Sequence, residues 1–142
     1  MKNVLKFGLL AVVAGSLLFS ACKKDDKSAA EILQSGSWKL SKDEEKLSTE
    51  TAWTVNTIEA CSADDFTTYT SATAYTYDEG ATKCDPADPQ TSAGSYTISA
   101  DGKTMSVDGL TFTSEVSESK VVLTALNILG FGQDIRITMV PK

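Results

Sequence analysis

From Trp38 onward, apolar and polar residues alternate in twos. Trp38 and Leu40 fall on one side of the chain, as do Tyr75 and Tyr77, Tyr96 and Ile98, Met105 and Val107, Leu110 and Phe112, Val121 and Leu123, and Ile135, Ile137 and Met139. Lys39, Ser41, Thr76, Thr97, Thr104, Ser106, Thr111, Thr113 and Thr138 take the other side. A period of two with one apolar face belongs to antiparallel strands, since parallel strands buried on both faces read apolar throughout. The runs are also rich in Thr, Tyr, Val and Ile, which suit a pleated, half-buried surface. Eight strands are predicted, over residues 38–42, 66–70, 73–78, 94–99, 103–107, 110–116, 120–125 and 134–140. Between Glu50 and Glu59, the alternation of Trp53, Val55 and Thr57 makes either a further strand or part of the first.

Turn chemistry separates the runs. Ala100, Asp101, Gly102 and then Asp108, Gly109 predict hairpins, and Ser71, Ala72 can turn the earlier Tyr-rich pair. Ser28 and Glu31 have capping-box spacing ahead of Ile32, Leu33 and Gly36, which predicts a short helix from Ala29 to Ser35. A second such spacing, Asn56 to Glu59, predicts a single turn before Cys61. Eight antiparallel strands in a meander either close into a barrel or fold into two layers, because an open sheet would expose its edges and one apolar face. The fold expected is all-β, an eight-stranded antiparallel up-and-down barrel with a short N-terminal helix.

The first residues read differently. Lys2 and Lys6 precede an uncharged, mostly apolar run from Phe7 to Phe19, followed by Ser20, Ala21 and Cys22. This is a signal-peptide layout, too short to span a bilayer comfortably. Small residues just before a Cys resemble the cleavage site of bacterial lipoproteins, and the resemblance implies that residues 1–21 are removed and that Cys22 is acylated. An ordinary secretory peptide that happens to contain a Cys is the alternative. Residues 22–28 form a charged stretch with no apolar periodicity, a solvated tether. Within it Lys24, Asp25 and Asp26 are similar to the export signal that sends Bacteroidota-type lipoproteins to the outer face of the outer membrane; a plain linker is the other reading. Residues 29–142 make the barrel domain.

Charge and composition narrow the chemistry. Lys2 and Lys6 account for two of the 13 basic residues, so from Cys22 onward 11 basic residues face 19 acidic ones, a balance of −8. An acidic chain with one Arg is a poor partner for nucleic acid, whose affinity comes mainly from Lys and Arg at phosphates. The chain has no His, which excludes Ser/His/Asp triads and His-ligated zinc. No cofactor and no metal ligand set is expected, and the chain is read as non-enzymatic.

Gly36, Ser37, Trp38 opens the first predicted strand, and the only Arg, Arg136, lies in the last. This resembles the lipocalin pattern, in which a Gly-x-Trp starts the first strand and an Arg from the final strand stacks over the Trp to close the barrel's base. The stretch from Ile32 to Lys142 also looks like the lipocalin-like domain of Bacteroidota lipoproteins, with a Trp strand, Cys61 before Asp64, Asp65 and Phe66, then Asp78, Glu79, Gly80 with Cys84 and Asp85, an aspartate-glycine hairpin, and an end at Val140, Pro141, Lys142. The resemblance implies a closed barrel, a Trp38–Arg136 contact and a small apolar ligand.

Cys61 and Cys84 enclose a loop of 24 residues, both ends counted, in a chain bound for an oxidising compartment, and no third Cys remains once Cys22 is acylated. A disulfide is the economical reading, with reactive thiols or metal ligands as alternatives. Asp64, Asp65, Asp78, Glu79, Asp85 and Asp88 gather nearby, yet without the regular spacing of a calcium loop. Tyr75, Tyr77, Tyr96, Met105 and Phe112 are the expected ligand-lining residues if the barrel has a lumen; otherwise they are core, since an eight-stranded barrel is only just wide enough to be filled by its own side chains. Asn127 to Gly132 carries three large apolar residues in a Gly-hinged turn, expected to fold over the barrel mouth, with protrusion toward a partner or the membrane as the alternative. The function expected is a lipid-anchored outer-membrane binding protein for a small apolar ligand. The alternative is a structural or interaction lipoprotein with a solid barrel, binding a protein or glycan through its loops.

Overall fold

The computed structural model describes residues 26–142; Cys22, Lys24 and Asp25 lie outside the described residues, and Asp26 is exposed at their start. The helix, α1 (Ala29–Leu33), is held at its start by the expected box. Glu31 N–H donates to Ser28 Oγ at 3.3 Å, and Ser28 N–H donates to Glu31 Oε2 at 2.7 Å. It stops two residues earlier than the sequence suggested, as Ser35 Oγ donates back to the Ile32 carbonyl and turns the chain. Ile32 and Leu33 are buried, and the Leu33 carbonyl accepts the indole N–H of Trp38 at 2.9 Å. The helix is thus tied to one end of the sheet through its two apolar residues and one buried hydrogen bond.

Nine strands follow, β1 (Ser37–Leu47), β2 (Thr54–Asn56), β3 (Phe66–Tyr69), β4 (Ala74–Asp78), β5 (Thr91–Ile98), β6 (Thr104–Val107), β7 (Leu110–Ser117), β8 (Lys120–Ala125) and β9 (Gln133–Pro141). Each strand from β3 to β9 pairs antiparallel with the next, and β9 pairs with β1 along almost its whole length. Eight strands therefore close an up-and-down barrel, as the alternation and turn signals predicted. The ninth, β2, is the segment left open between Glu50 and Glu59. It pairs with Asp43, Glu44 and Glu45 on the flank of β1 whose beginning is taken by β3. A 3-10 turn at Ala60–Ser62 then leads to β3, without a side-chain cap.

Two local features set the geometry. Asp108 and Gly109 both have positive φ (47° and 86°) between the paired residues Val107 and Leu110, which is the two-residue hairpin whose twist matches the strands. In β1 the pairing steps from Leu40–Met139 to Lys42–Thr138, so Ser41 is bulged out of the ladder. A bulge inverts which residues face in. Trp38 and Leu40 point into the barrel beside Met139 and Ile137, whereas Glu44 and its partner Arg136 point outward.

The inner face is built from Trp38, Tyr69, Tyr96, Met105, Phe112, Val121, Leu123 and Met139, all buried. Tyr69 and Tyr96 meet edge to face, 4.7 Å between ring centroids, a favoured aromatic geometry.

Candidate functional site

The barrel is not packed solid. A cavity of about 260 Å³ lies among Tyr69, Tyr75, Tyr77, Val107, Phe112 and Leu123. A second compartment of about 300 Å³ is bounded by Trp38, Leu40, Ser62, Asp65 and Phe66. Thr67, Tyr77, Ile137 and Met139 line both, so the two are neighbours across one set of side chains. Most of this wall is apolar or aromatic, with few polar groups, the usual makeup of a small-molecule site.

Sequence and register explain why space remains. β4 contributes Tyr75 and Tyr77 to the inner face, and opposite them β5 contributes Gly94 and Ser92. A β-carbon at Gly94 would overlap the Tyr75 ring, so the glycine lets that ring lie flat against the sheet. β3 is short as well. It meets β1 only at Ser37 and Trp38, and the stretch from Thr57 to Asp65 takes the place that a longer strand would fill.

Of the expected lining residues, Tyr75, Tyr77 and Phe112 line the cavity, whereas Tyr96 and Met105 do not. Those two are 2% and 0% exposed and belong to the packed half of the barrel, where Met105 pairs with Ile98 and Phe112. This is the end at which the helix sits: Ala29 lies close to Gly102, in the turn just ahead of β6. Solid core and cavity thus divide the barrel between them, and alternation alone does not separate the two halves.

The tyrosines are tuned by their surroundings. Tyr75 donates its hydroxyl to Asp108 Oδ2, whose other oxygen accepts the Ser95 backbone N–H at 2.8 Å. Burial, reinforced by that carboxylate, pushes the Tyr75 phenol up to about 12. Tyr77 donates to Asp65 Oδ2 and is also raised, first by burial and then by this bond. Asp65 is 7% exposed, and its Oδ1 has no hydrogen-bond partner. Asp64 Oδ1 and Glu79 Oε2 are likewise unpartnered, while Asp64 Oδ2 accepts the Ala81 N–H at 2.6 Å.

Cys61 and Cys84 form the disulfide, with Cα atoms 5.0 Å apart. It ties the 3-10 turn before β3 to the loop between β4 and β5, next to Ser62 of the second compartment. Glu59 lies close enough to both sulfurs to share an ion with them, but the sulfurs are bonded to each other.

The expected Trp38–Arg136 contact does not form. Trp38 faces into the barrel with Leu40, whereas Arg136 lies on the face of β9 opposite Ile135, Ile137 and Met139 and points out, where the bulge at Ser41 brings Glu44 to meet it. The strand partners of Trp38 and Arg136 in this pairing are Pro141 and Glu44. Arg136 does cover an indole at the closing seam, that of Trp53, 4.4 Å from the ring centroid. Trp53 reaches there because β2 folds back along β1, and Lys46 lies over the same ring at 5.3 Å. The turn between β8 and β9 also differs from expectation. Asn127 and Leu129 take left-handed backbone angles, and Leu129 and Phe131 end up 69% and 78% exposed rather than folded over the mouth. Ile128 alone packs against the core.

No protein-family model matches the chain, and a search of curated proteins finds no match either.

Proposed function

We propose that this chain is a lipid-anchored, non-enzymatic binding protein of the outer membrane whose barrel holds one small apolar ligand. The observation that carries the reading is the lumen itself, two adjoining compartments of about 260 and 300 Å³ with aromatic and aliphatic walls. Ligand pockets begin at about 300 Å³. Support for the anchor comes from the lipoprotein-like run ending at Cys22 and the charged stretch of Lys24, Asp25 and Asp26 behind it.

The test is saturable binding of the apolar dye N-phenyl-1-naphthylamine to the full chain made in a Gram-negative host. One dye per chain is expected, and Thr67→Phe, which places a ring where the compartments adjoin, should abolish binding while the far-ultraviolet circular dichroism stays unchanged. Absence of saturable binding, or identical binding by the variant, rejects the reading.

The exposed Leu126, Leu129 and Phe131 favour a second reading, an interaction lipoprotein that docks through the β8–β9 turn. It predicts that Phe131→Ser removes function while dye binding persists.

A further inference from the structure

Among the described residues Asp65 is the one acidic side chain lining the lumen; it is more than nine-tenths buried and shares its compartment with Trp38, Leu40, Phe66, Ile137 and Met139. One of its oxygens accepts the Tyr77 hydroxyl; the other has no partner. A buried acceptor left unmade is unfavourable, whereas the same acceptor met by a donor in a low-dielectric site makes a strong and selective contact. The remaining polar wall groups in this compartment are hydroxyls of Ser62, Thr67 and Tyr77, and the Tyr77 hydroxyl is already committed to Asp65.

We propose that Asp65 Oδ1 is the polar anchor of the lumen and selects ligands with an apolar body and a single hydrogen-bond donor at one end, an alcohol or an amine. This rests on the proposed binding function and names the ligand class for the same site. An acceptor-only head such as an ether, or an ionised carboxylate, meets an oxygen already rich in electrons and is disfavoured. A ligand seated there puts its head in the compartment beside the disulfide and its chain toward Tyr75, Phe112 and Leu123. The chain's acidity adds nothing to this choice for an alcohol, because the contact is a neutral donor to one oxygen.

Decan-1-ol, decylamine and decyl methyl ether are titrated by calorimetry into the full chain, in chelator and again in excess calcium. The alcohol and the amine should each bind roughly tenfold more tightly than the ether, the size of one hydrogen bond. Asp65→Asn keeps an acceptor for Tyr77 and puts an N–H₂ in place of the free oxygen, so the preference should shrink to within about twofold or reverse. Equal binding of alcohol and ether by the unaltered chain overturns the head-group inference alone and leaves the lumen as an unselective apolar site. Absence of binding by all three overturns it together with the proposed function. Loss of the preference in calcium would assign the free oxygens of Asp64, Asp65 and Glu79 to a cation and overturn it as well. The comparison of probes on the unaltered chain decides the matter even if Asp65→Asn fails to fold.

Discussion

Arg136 and Glu44 face each other across the seam that closes the barrel, the guanidinium donating from Nε to Oε2 at 2.7 Å and from Nη2 to Oε1 at 2.8 Å. Lys42 pairs with the same carboxylate at 2.8 Å, and the Trp53 ring stacks on the guanidinium. A step along, Lys46 pairs with Asp134 at 2.7 Å, while Ser48 Oγ and the Asn127 N–H donate to Asp134 Oδ1. Glu44 and Asp134 are each 3% exposed. These contacts all lie on the outside of the barrel, so closure makes no demand on the lumen. The inner wall is left to the lumen and to the ligand proposed for it.

Removing one partner of a buried pair costs about 3 kcal/mol when the other charge is left uncompensated, against at most about 1 for a pair in water. Glu44 keeps Lys42 when Arg136 is lost, so Arg136→Met should lower the stability measured by urea unfolding by an intermediate amount, about 1 to 2 kcal/mol, with dye binding to the surviving folded protein unchanged. A loss below about 0.5 kcal/mol, the range of ordinary surface substitutions, would show that β1 and β9 hold by backbone pairing alone.

The same seam governs acid stability. Arg136 first, then Lys42, holds the Glu44 carboxyl at about 2, and Lys46 with Ser48 and Asn127 does the same for Asp134. A carboxyl lowered on folding contributes its full stability above its unfolded value and loses it as pH falls through the folded one. The contribution of these carboxyls should therefore be constant above pH 4.5 and decline from there toward pH 2. In Glu44→Gln the decline should be shallower in pH-dependent unfolding curves. An unchanged slope would remove Glu44 from the account.

The disulfide ties the turn before β3 to the β4–β5 loop, closing a loop that contains β3 and β4, and stands beside the lumen corner that holds Ser62 and Asp65. Replacing Cys61 and Cys84 by Ser should lower stability by roughly 3 kcal/mol, the chain-entropy value for a loop of this size. It should also weaken dye binding, since the Thr57–Asp65 segment that stands in for the missing length of β3 loses its tie. Free thiols in protein exported to the periplasm would contradict the bridge.

Alternation and turns made most of the barrel legible in the sequence, because a half-buried strand writes its burial into every second residue. The second half of β1 was not legible. The strand expected over residues 38–42 stopped short of Asp43, Glu44, Glu45 and Lys46, a charged run without apolar alternation, yet Glu44, Lys46 and Glu45 are met across the seam by Arg136, Asp134 and Gln133, about 90 positions away. The Arg136 partner was misplaced for a different reason. The alternation of β9 puts Arg136 on the face opposite Ile135, Ile137 and Met139, and the bulge at Ser41, which no residue type announces, turns Glu44 outward to meet it. Asp65 stood in view only as one of several acids. What sets it apart is burial with one free oxygen, a property of packing and not of the sequence.

The proposed attachment and display rest on residues ahead of the barrel. Cys22→Ala should release the protein from the membrane fraction and end incorporation of labelled fatty acid, since stable anchoring needs more than one acyl chain. Lys24, Asp25 and Asp26 replaced together by Ala should keep the label yet protect the protein from protease added to whole cells. Equal digestion of parent and variant would make the tether a spacer only.

Gly94 offers the sharpest test of the lumen wall. Its φ is not positive, so alanine suits the backbone, and the nearest obstacle is the Tyr75 ring that a β-carbon would strike. In Gly94→Ala the ring must leave its place, and its hydroxyl then loses Asp108. All four tyrosines of the chain are raised above the ordinary value of 10, burial being the first cause for each. A phenol raised on folding contributes stability that is complete below pH 10 and is lost as pH climbs through the folded value, so alkaline unfolding should begin above pH 10. Ultraviolet titration of the native chain should accordingly show little tyrosinate at pH 10. In Gly94→Ala one phenol, that of Tyr75, should return from about 12 toward 10 while the dye binds more weakly, because the displaced ring reshapes the cavity it lines. If the variant titrates like the parent and binds dye equally well, the Tyr75 ring is not part of the wall that a ligand meets.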